Sequence, residues 1–294
     1  MRMRRLEMAC ARLRPQLVSP PALTPGHKTC ARPRLITALL LAIVAGNAPA
    51  HEAANDILYQ VSTIDALLAG VYDSVAPVGE VLDHGGFGIG TFEALDGELI
   101  ALDGVVYQAA SDGAVNRMPR STGTPFMAVT RFSADQRFQL AGPLDFEAFQ
   151  TRLKARFPSR NLFYAIHADS GFEHIRYRSV APQTKPYAPL AEVVRQQVVF
   201  DQQDIAGTLI GFWCPQFAQG INVPGFHLHF LSADRRHGGH VLGFTLNQAD
   251  VRIDYTEGWE IMLPTTPAYL QADLEADRTA ELHAVEQAKP ERAN

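Results

Sequence analysis

Phe226-His227-Leu228-His229-Phe230 alternates apolar residues with histidines, and His240-Val241-Leu242-Gly243-Phe244-Thr245-Leu246 follows after the turn-rich stretch Ser232-Ala233-Asp234-Arg235-Arg236-His237-Gly238-Gly239. Side chains of a strand point alternately to opposite faces. The first run is therefore predicted to be a strand with His227 and His229 on one face and Phe226, Leu228 and Phe230 turned into a core. The second run also reads as strand, and a hairpin between the two brings His240, eleven residues after His229, beside the pair. Two histidines at i and i+2 arise by chance in a chain with ten of them; the third, after a glycine-rich turn, singles out this group. Three neutral imidazoles are a set of metal ligands, and three protein ligands leave a position open for substrate, as in catalytic sites. Zinc, iron, manganese and copper all accept imidazole. His237 lies in the turn itself and reads as a solvated loop residue.

Outward from this hairpin, the chain from Thr208 to Leu263 is almost entirely β-like, with Gly- and Asn-containing turns. Upstream, Ser62 or Thr63 caps a short helix over Ile64 to Ala69 that Gly70 stops. Gly85-Gly86-Phe87-Gly88-Ile89-Gly90-Thr91-Phe92 resembles a phosphate loop only superficially, since no Lys-Ser/Thr pair follows; its glycines read as close backbone packing or a bulge. Asp96-Gly97 and Asp103-Gly104 are turn signals, so Glu98 opens a strand. Pro125 to Phe132 reads as a strand, and Asp145 caps a helix through Leu153. Phe163 to His167 and Phe172 to Val180 read as a hairpin around Asp169-Ser170-Gly171. Leu190 to Gln197 and Asp273 to Lys289 read as helices, the last an exposed C-terminal tail. Many strands with few helices predict an α+β, two-lobed body of mixed and antiparallel sheet, with a soft lobe boundary in the loop at 182–189.

Residues 1–50 read as a leader apart from this body. Arg32-Pro33-Arg34, the apolar run Leu35 to Ala45 and Ala48-Pro49-Ala50 form the basic, apolar, small-residue order of a secretory signal, with cleavage expected after Ala50 and no stable membrane insertion afterwards. The stretch before the signal is long, and an alternative start at Val18 is one reading of it. The leader holds eight of the 26 basic residues and one of the 31 acidic ones, which leaves residues 51–294 with a formal charge of about −12. An acidic body argues against nucleic acid as a partner. Cys10 and Cys30 leave with the leader, so Cys214 remains alone and reads as a buried, inert thiol. Cleavage would leave His51 at the new terminus, where amine and ring together bind copper; the plainer expectation is a frayed end.

Taken together, the chain resembles the α-acetolactate decarboxylase family from about Leu58 to about Glu286. The resemblance is carried by Val61 to Gly70, His84 to Phe92, Leu95-Asp96-Gly97-Glu98, Arg178-Ser179-Val180, Lys185-Pro186-Tyr187, Gly225 to Phe230 and Gly238 to Leu242 in their joint order and spacing. It implies a two-lobed subunit, a bound Zn2+ and a homodimer. It further implies that His227, His229 and His240 hold the metal, that Glu98 and Arg178 are the family's active-site glutamate and arginine, that Glu286 is a second glutamate from the tail, and that Thr91 lies near the site. The implied reaction converts 2-acetolactate to acetoin, mainly the R enantiomer, and CO2, with the metal chelating substrate oxygens and stabilising an enediolate. Neither thiamine nor pyridoxal is needed as an electron sink.

Read without the resemblance, Arg178 is as well a surface ion-pair partner, Glu98 a solvated hairpin residue and Glu286 a helix-surface carboxylate. Two other functions use the same histidines. One is a different metalloenzyme, a hydrolase, lyase or cupin-type dioxygenase; a cupin site adds a glutamate soon after the pair, whereas the nearby acid here is Asp234, in the turn. The other is a non-catalytic exported metal- or carbohydrate-binding protein, which needs the histidines but neither Arg178 nor Glu98.

Overall fold

A computed structural model describes residues 56–286. The expectations for the leader, Cys10, Cys30 and His51, and for the tail beyond Glu286, lie outside the described residues. β1 (Ile57–Val61) leads into α1 (Ile64–Leu68), where the Thr63 hydroxyl accepts from the Ala66 amide and caps the first turn. Next come β2 (Ala76–Pro77), α2 (Val78–Leu82), β3 (Phe87–Thr91), β4 (Glu98–Leu102), β5 (Val105–Ala109), β6 (Val115–Arg117), β7 (Gly123–Thr124) and β8 (Phe126–Thr130). β9 (Gln136–Asp145) ends in the carboxylate that caps α3 (Phe146–Lys154) through the Ala148 amide, and α3 buries Phe149 and Leu153 one turn apart. The chain continues through β10 (Phe163–Ser179), α4 (Leu190–Val193), β11 (Val198–Cys214), β12 (Gly225–Ser232), β13 (Gly238–Thr256), β14 (Gly258–Met262), α5 (Pro267–Gln271) and α6 (Thr279–Glu286). Among the described residues no helix is long and apolar enough to cross a membrane.

The strands form a seven-stranded sheet in the order β14-β1-β8-β3-β4-β5-β6 and a five-stranded sheet in the order β10-β11-β12-β13-β9, in which β10 also pairs with β13. All neighbours are antiparallel except β1 and β14, so the α+β class with mixed sheet is as expected. Leu58, Phe87, Ile89 and Ile100 of the first sheet share one apolar core with Phe163, Ala165, Ile210 and Phe212 of the second. A second core on the far face of the five-stranded sheet takes Leu228, Phe230, Phe149 and Leu153.

β10, before the 182–189 loop, pairs with β11 and β13 after it. Two expectations are corrected. Asp169-Ser170-Gly171 does not turn a hairpin. β10 runs straight through it, laddered to β11 on one side and to β13 on the other, with bulges from Ser170 onward. The Asp169 side chain accepts from Thr208 and from Arg252 on those neighbours, so a local turn signal is overridden by long-range pairing. Among the described residues of the expected 273–289, helix covers Thr279–Glu286 and leaves 273–278 non-helical.

Asp254 on β13 lies opposite Ala165 of the shared core and is fully buried. Burial pushes its carboxyl up from 3.8 to about 8; the Ser133 amide opposes the rise, and the charges of Asp135 and Asp56 add to it. In the unfolded chain the proton leaves near the ordinary carboxylate value, whereas the folded protein holds it until about 8. Stability linked to this group is therefore complete at low pH and is lost as the pH rises toward 8. Asp254→Asn, neutral throughout, should gain unfolding free energy relative to the parent between about pH 4 and 8, by at most about 1.4 kcal/mol per pH unit, and show a constant difference below that range. Urea unfolding of both proteins across this pH series checks it; a difference independent of pH refutes it.

Candidate active site and metal centre

The hairpin of β12 and β13 forms as expected. Its register sets His229 opposite His240, and the alternation of β12 turns His227 and His229 away from Leu228 and Phe230, which enter the core. Arg178 on β10 faces His240 across the other edge of β13. That approach depends on Gly239, where an added Cβ would lie 2.4 Å from the Arg178 carbonyl oxygen.

The three imidazole rings lie 5.0, 5.2 and 5.6 Å apart between centroids, and one ligand atom from each falls within 4.8 Å of the others. All three are buried. Burial, with Arg178 as an added cation, lowers His227 to about 3, and His229 and His240 are also held well below the usual histidine value, chiefly by burial. The rings are thus neutral at physiological pH, the form that binds metal. His229 Nδ1 lies 2.9 Å from the Leu99 carbonyl oxygen, which only accepts, so Nδ1 carries the proton and Nε2 presents a lone pair. That Nε2, and Nδ1 of His240, are buried without a hydrogen-bond partner. Unpartnered buried nitrogens on converging neutral rings fit a divalent cation of borderline softness.

Glu98 opens β4 beside Thr91, its register partner on β3. It binds Arg178 through Nη1 to Oε1 at 2.7 Å, with the two side chains 9% and 5% exposed, and its Oε2 lies 3.5 Å from His229 Nε2. Burial raises the Glu98 carboxyl to about 7 against the pull of Arg178, with Glu286 adding to the rise. Glu286, the last residue of α6, places Oε2 at 3.6 Å from His240 Nε2 and 3.9 Å from His227 Nε2. Burial raises it too to about 7, and that oxygen has no hydrogen-bond partner. α6 is held over the site by Leu282 and Val285, which pack with Ile64, Leu67 and Leu190. The Thr91 hydroxyl donates to the Gly97 carbonyl at 2.8 Å, so it ties down the turn before Glu98 and offers a ligand only its acceptor lone pairs.

All the expected site residues thus converge from β3, β4, β10, β12, β13 and α6. Thr91, Glu98, Arg178, His227, His240 and Glu286 line one cavity of about 30 Å³. Glu286 also borders clefts of about 520 and 70 Å³, so its side chain stands at the boundary between the inner cavity and those clefts. Asp234 bonds to Ser232 and Arg236 within its own turn, which removes the extra ligand a cupin site requires. Cys214 is buried and its thiol is pushed up by burial, as its apolar surroundings in the sequence suggested. The apolar wall of the cavity, Ile64, Leu67, Leu95, Phe126, Val180, Leu190 and Val285, has no signature of its own in the sequence. Their spacing announces core residues, and nothing local distinguishes a core residue from a cavity wall.

A family model described as alpha-acetolactate decarboxylase matches residues 58–276, a range that holds every site residue except Glu286. Proteins described by the same name are 44% identical over 233 residues in Methanosarcina mazei, covering 79% of this chain and 81% of that relative, and 43% identical over 232 residues in Bacillus licheniformis, covering 79% and 92%. The crystal structure of alpha-acetolactate decarboxylase from Bacillus subtilis strain 168 superposes with a TM-score of 0.77 at 38% identity, covering 79% of this chain and all of that one.

The ligand geometry predicts one divalent ion per chain. His229→Ala should weaken binding by more than the 10–100-fold that loss of an outer partner usually costs. Equilibrium dialysis with Zn2+ and the visible spectrum of a Co2+-loaded sample measure it; unaltered affinity in that variant would place the ion elsewhere.

Proposed function

The chain belongs to the alpha-acetolactate decarboxylase family and is a carboxy-lyase acting on a small molecule, and on that premise we propose that it converts 2-acetolactate to acetoin, mainly the R enantiomer, and CO2 with the help of a zinc ion. The observation that carries this reading is the buried Arg178–Glu98 pair set against three neutral histidines in a cavity with unpartnered polar atoms. Loss of CO2 from a β-keto acid leaves an electron pair that moves onto the neighbouring carbonyl oxygen, and a proton must then be added to carbon. A cation held by His227, His229 and His240 would supply Lewis acidity toward the hydroxyl and keto oxygens of the substrate.

The protein's own groups divide the remaining work. Arg178 keeps Nε buried without a partner while Nη1 is held by Glu98, so a donor is left for the substrate carboxylate. An unmet buried donor costs free energy, and an anionic ligand relieves it. Glu98 fixes the plane of the guanidinium and stands where it accepts the substrate hydroxyl proton. Glu286 has a free oxygen at the edge of the cavity, turned toward His227 and His240, a position that suits proton delivery to carbon. Delivery from one fixed side gives one acetoin enantiomer. The apolar wall excludes water from the electron-rich intermediate.

Export fits the order of charges and small residues in positions 32–50. We assign the enzyme to the periplasm or the medium, as a homodimer, where it would divert exported acetolactate to neutral acetoin.

The test is turnover of racemic acetolactate by residues 51–294, followed as acetoin and its handedness before and after chelation and zinc restoration. Chelator-sensitive formation of mainly one enantiomer, recovered with zinc, is expected. Arg178→Ala should keep its metal and lose turnover by at least about 100-fold, as loss of one preorganised donor commonly does. Preserved activity in that variant would overturn its role, and a zinc-loaded, folded protein without any activity would move the function to another substrate of the same site.

A further inference from the structure

Phe126 is the first residue of β8 and faces Thr91 of β3, which on its other side faces Glu98 of β4. Cross-strand partners project to the same face of a sheet. Phe126, Thr91 and Glu98 therefore form one row, with strands about 4.8 Å apart. Arg178 bonds to the Glu98 end of the row. The ring of Phe126 is 2% exposed and lines the far side of the same cavity.

The cavity is small, about 30 Å³, so a bound substrate lies close against its walls. Those walls differ in stiffness. Ile64 and Leu67 stand on a helix of five residues, Leu190 on one of four and Val285 on one of eight. Phe126 pairs with Thr91 in a ladder to β3 that runs the whole length of β8, and β8 pairs with β1 over Met127–Val129 on its other side. A short helix is held in place by side-chain packing alone, whereas Phe126 is held by a backbone ladder as well. Gly90, also a lining residue, lets this happen, because a Cβ there would lie 2.3 Å from the Phe126 carbonyl oxygen.

We propose that Phe126 is the specificity-determining residue for the alkyl groups of the substrate, its ring forming the fixed stop that restricts the site to 2-acyl-2-hydroxy acids with short alkyl substituents. This rests on the decarboxylase reading. With the carboxylate at Arg178 and the oxygens toward the histidines, the alkyl groups are the parts of the substrate left to face the apolar wall. An extra methylene against a rigid apolar wall is discriminated by about 10–200-fold. Shortening the ring removes that penalty and leaves Arg178, Glu98 and the histidines untouched.

The experiment compares kcat/KM of zinc-loaded wild type, Phe126→Leu and Leu190→Ala on acetolactate and on two homologues, with ethyl replacing methyl at the hydroxyl-bearing carbon in one and at the acyl end in the other. Phe126→Leu is expected to raise the ratio of at least one ethyl homologue to acetolactate by ten-fold or more, and Leu190→Ala, on a movable wall, to change it by less than three-fold. Unchanged ratios with equal losses on all three substrates would mean that Phe126 only supports the fold and would overturn the proposal. An equal rise in Leu190→Ala would overturn it as well. Phe126→Met, closer in volume, carries the same comparison if the leucine variant does not fold. Wild type that releases no CO2 from any of the three substrates would overturn the decarboxylase reading itself; active wild type with unchanged ratios overturns only the role of Phe126.

Discussion

Arg178 and Glu98 meet at 2.7 Å where the two sheets face each other, and the geometry of the site depends on that contact. One residue belongs to the five-stranded sheet, the other to the seven-stranded sheet. Removing two charges from water costs several kcal/mol each, which close mutual attraction and further hydrogen bonds must offset. The pair therefore fixes the distance between β4 and β10 at this point. It also fixes a cation beside three histidines, where burial and that cation together keep the rings neutral. Neutral rings are a requirement for metal binding, so the surroundings of the ion pair keep the three histidines in the form that could hold a metal ion.

The same contact gives the two carboxyls of the site different surroundings. Glu98 is committed to Arg178 and lies toward His229, whereas Glu286 arrives from the terminal helix, lies toward His227 and His240 and keeps a free oxygen. One is built into a sheet and the other into an eight-residue helix held by Leu282 and Val285. The sheet position holds Glu98 on both sides of its strand, whereas Glu286 stands on a helix where the cavity borders the outer clefts. A merely metal-binding protein has no use for either arrangement. The family membership and the geometry thus point to the same chemistry from independent observations.

Much of the site is legible in the amino-acid sequence. The alternation through Phe226–Phe230 sets two histidines on one face, and Gly238-Gly239 before His240 marks the hairpin that joins the third. Asp96-Gly97 before Glu98 correctly marks a strand start, although a short 3-10 turn at Glu93–Leu95 makes the connection longer than a two-residue hairpin. Asp145 and Thr63 announce their helices, because a cap acts within four residues of itself. Where the local signals mislead, the cause is distance along the chain. Asp169-Ser170-Gly171 has the composition of a turn, yet ladders on both sides hold it extended, and β11 and β13 lie some 40 and 80 residues further on. Asp254 has the pattern of any polar residue of a strand, and only the stacking of two sheets makes it a buried acid.

The sequence by itself determined the local alternations, the caps and turns, and the kinds of group available for chemistry, because each of these is decided by residues within a few positions of one another. Through the joint order of its motifs it also determined the family. Tertiary structure decided which face of each strand became a cavity and which a core, and how close Arg178 comes to Glu98. It set Phe126 at the far end of the row from that pair, and it gave the acids and histidines their shifted proton affinities. Those outcomes depend on register between strands up to about 200 residues apart, as between β1 and β14, on side-chain contact across 80 residues between Arg178 and Glu98, and on the removal of water between two sheets. Hydrogen bonding across a ladder and desolvation are properties of the assembled fold, and no window of sequence contains them.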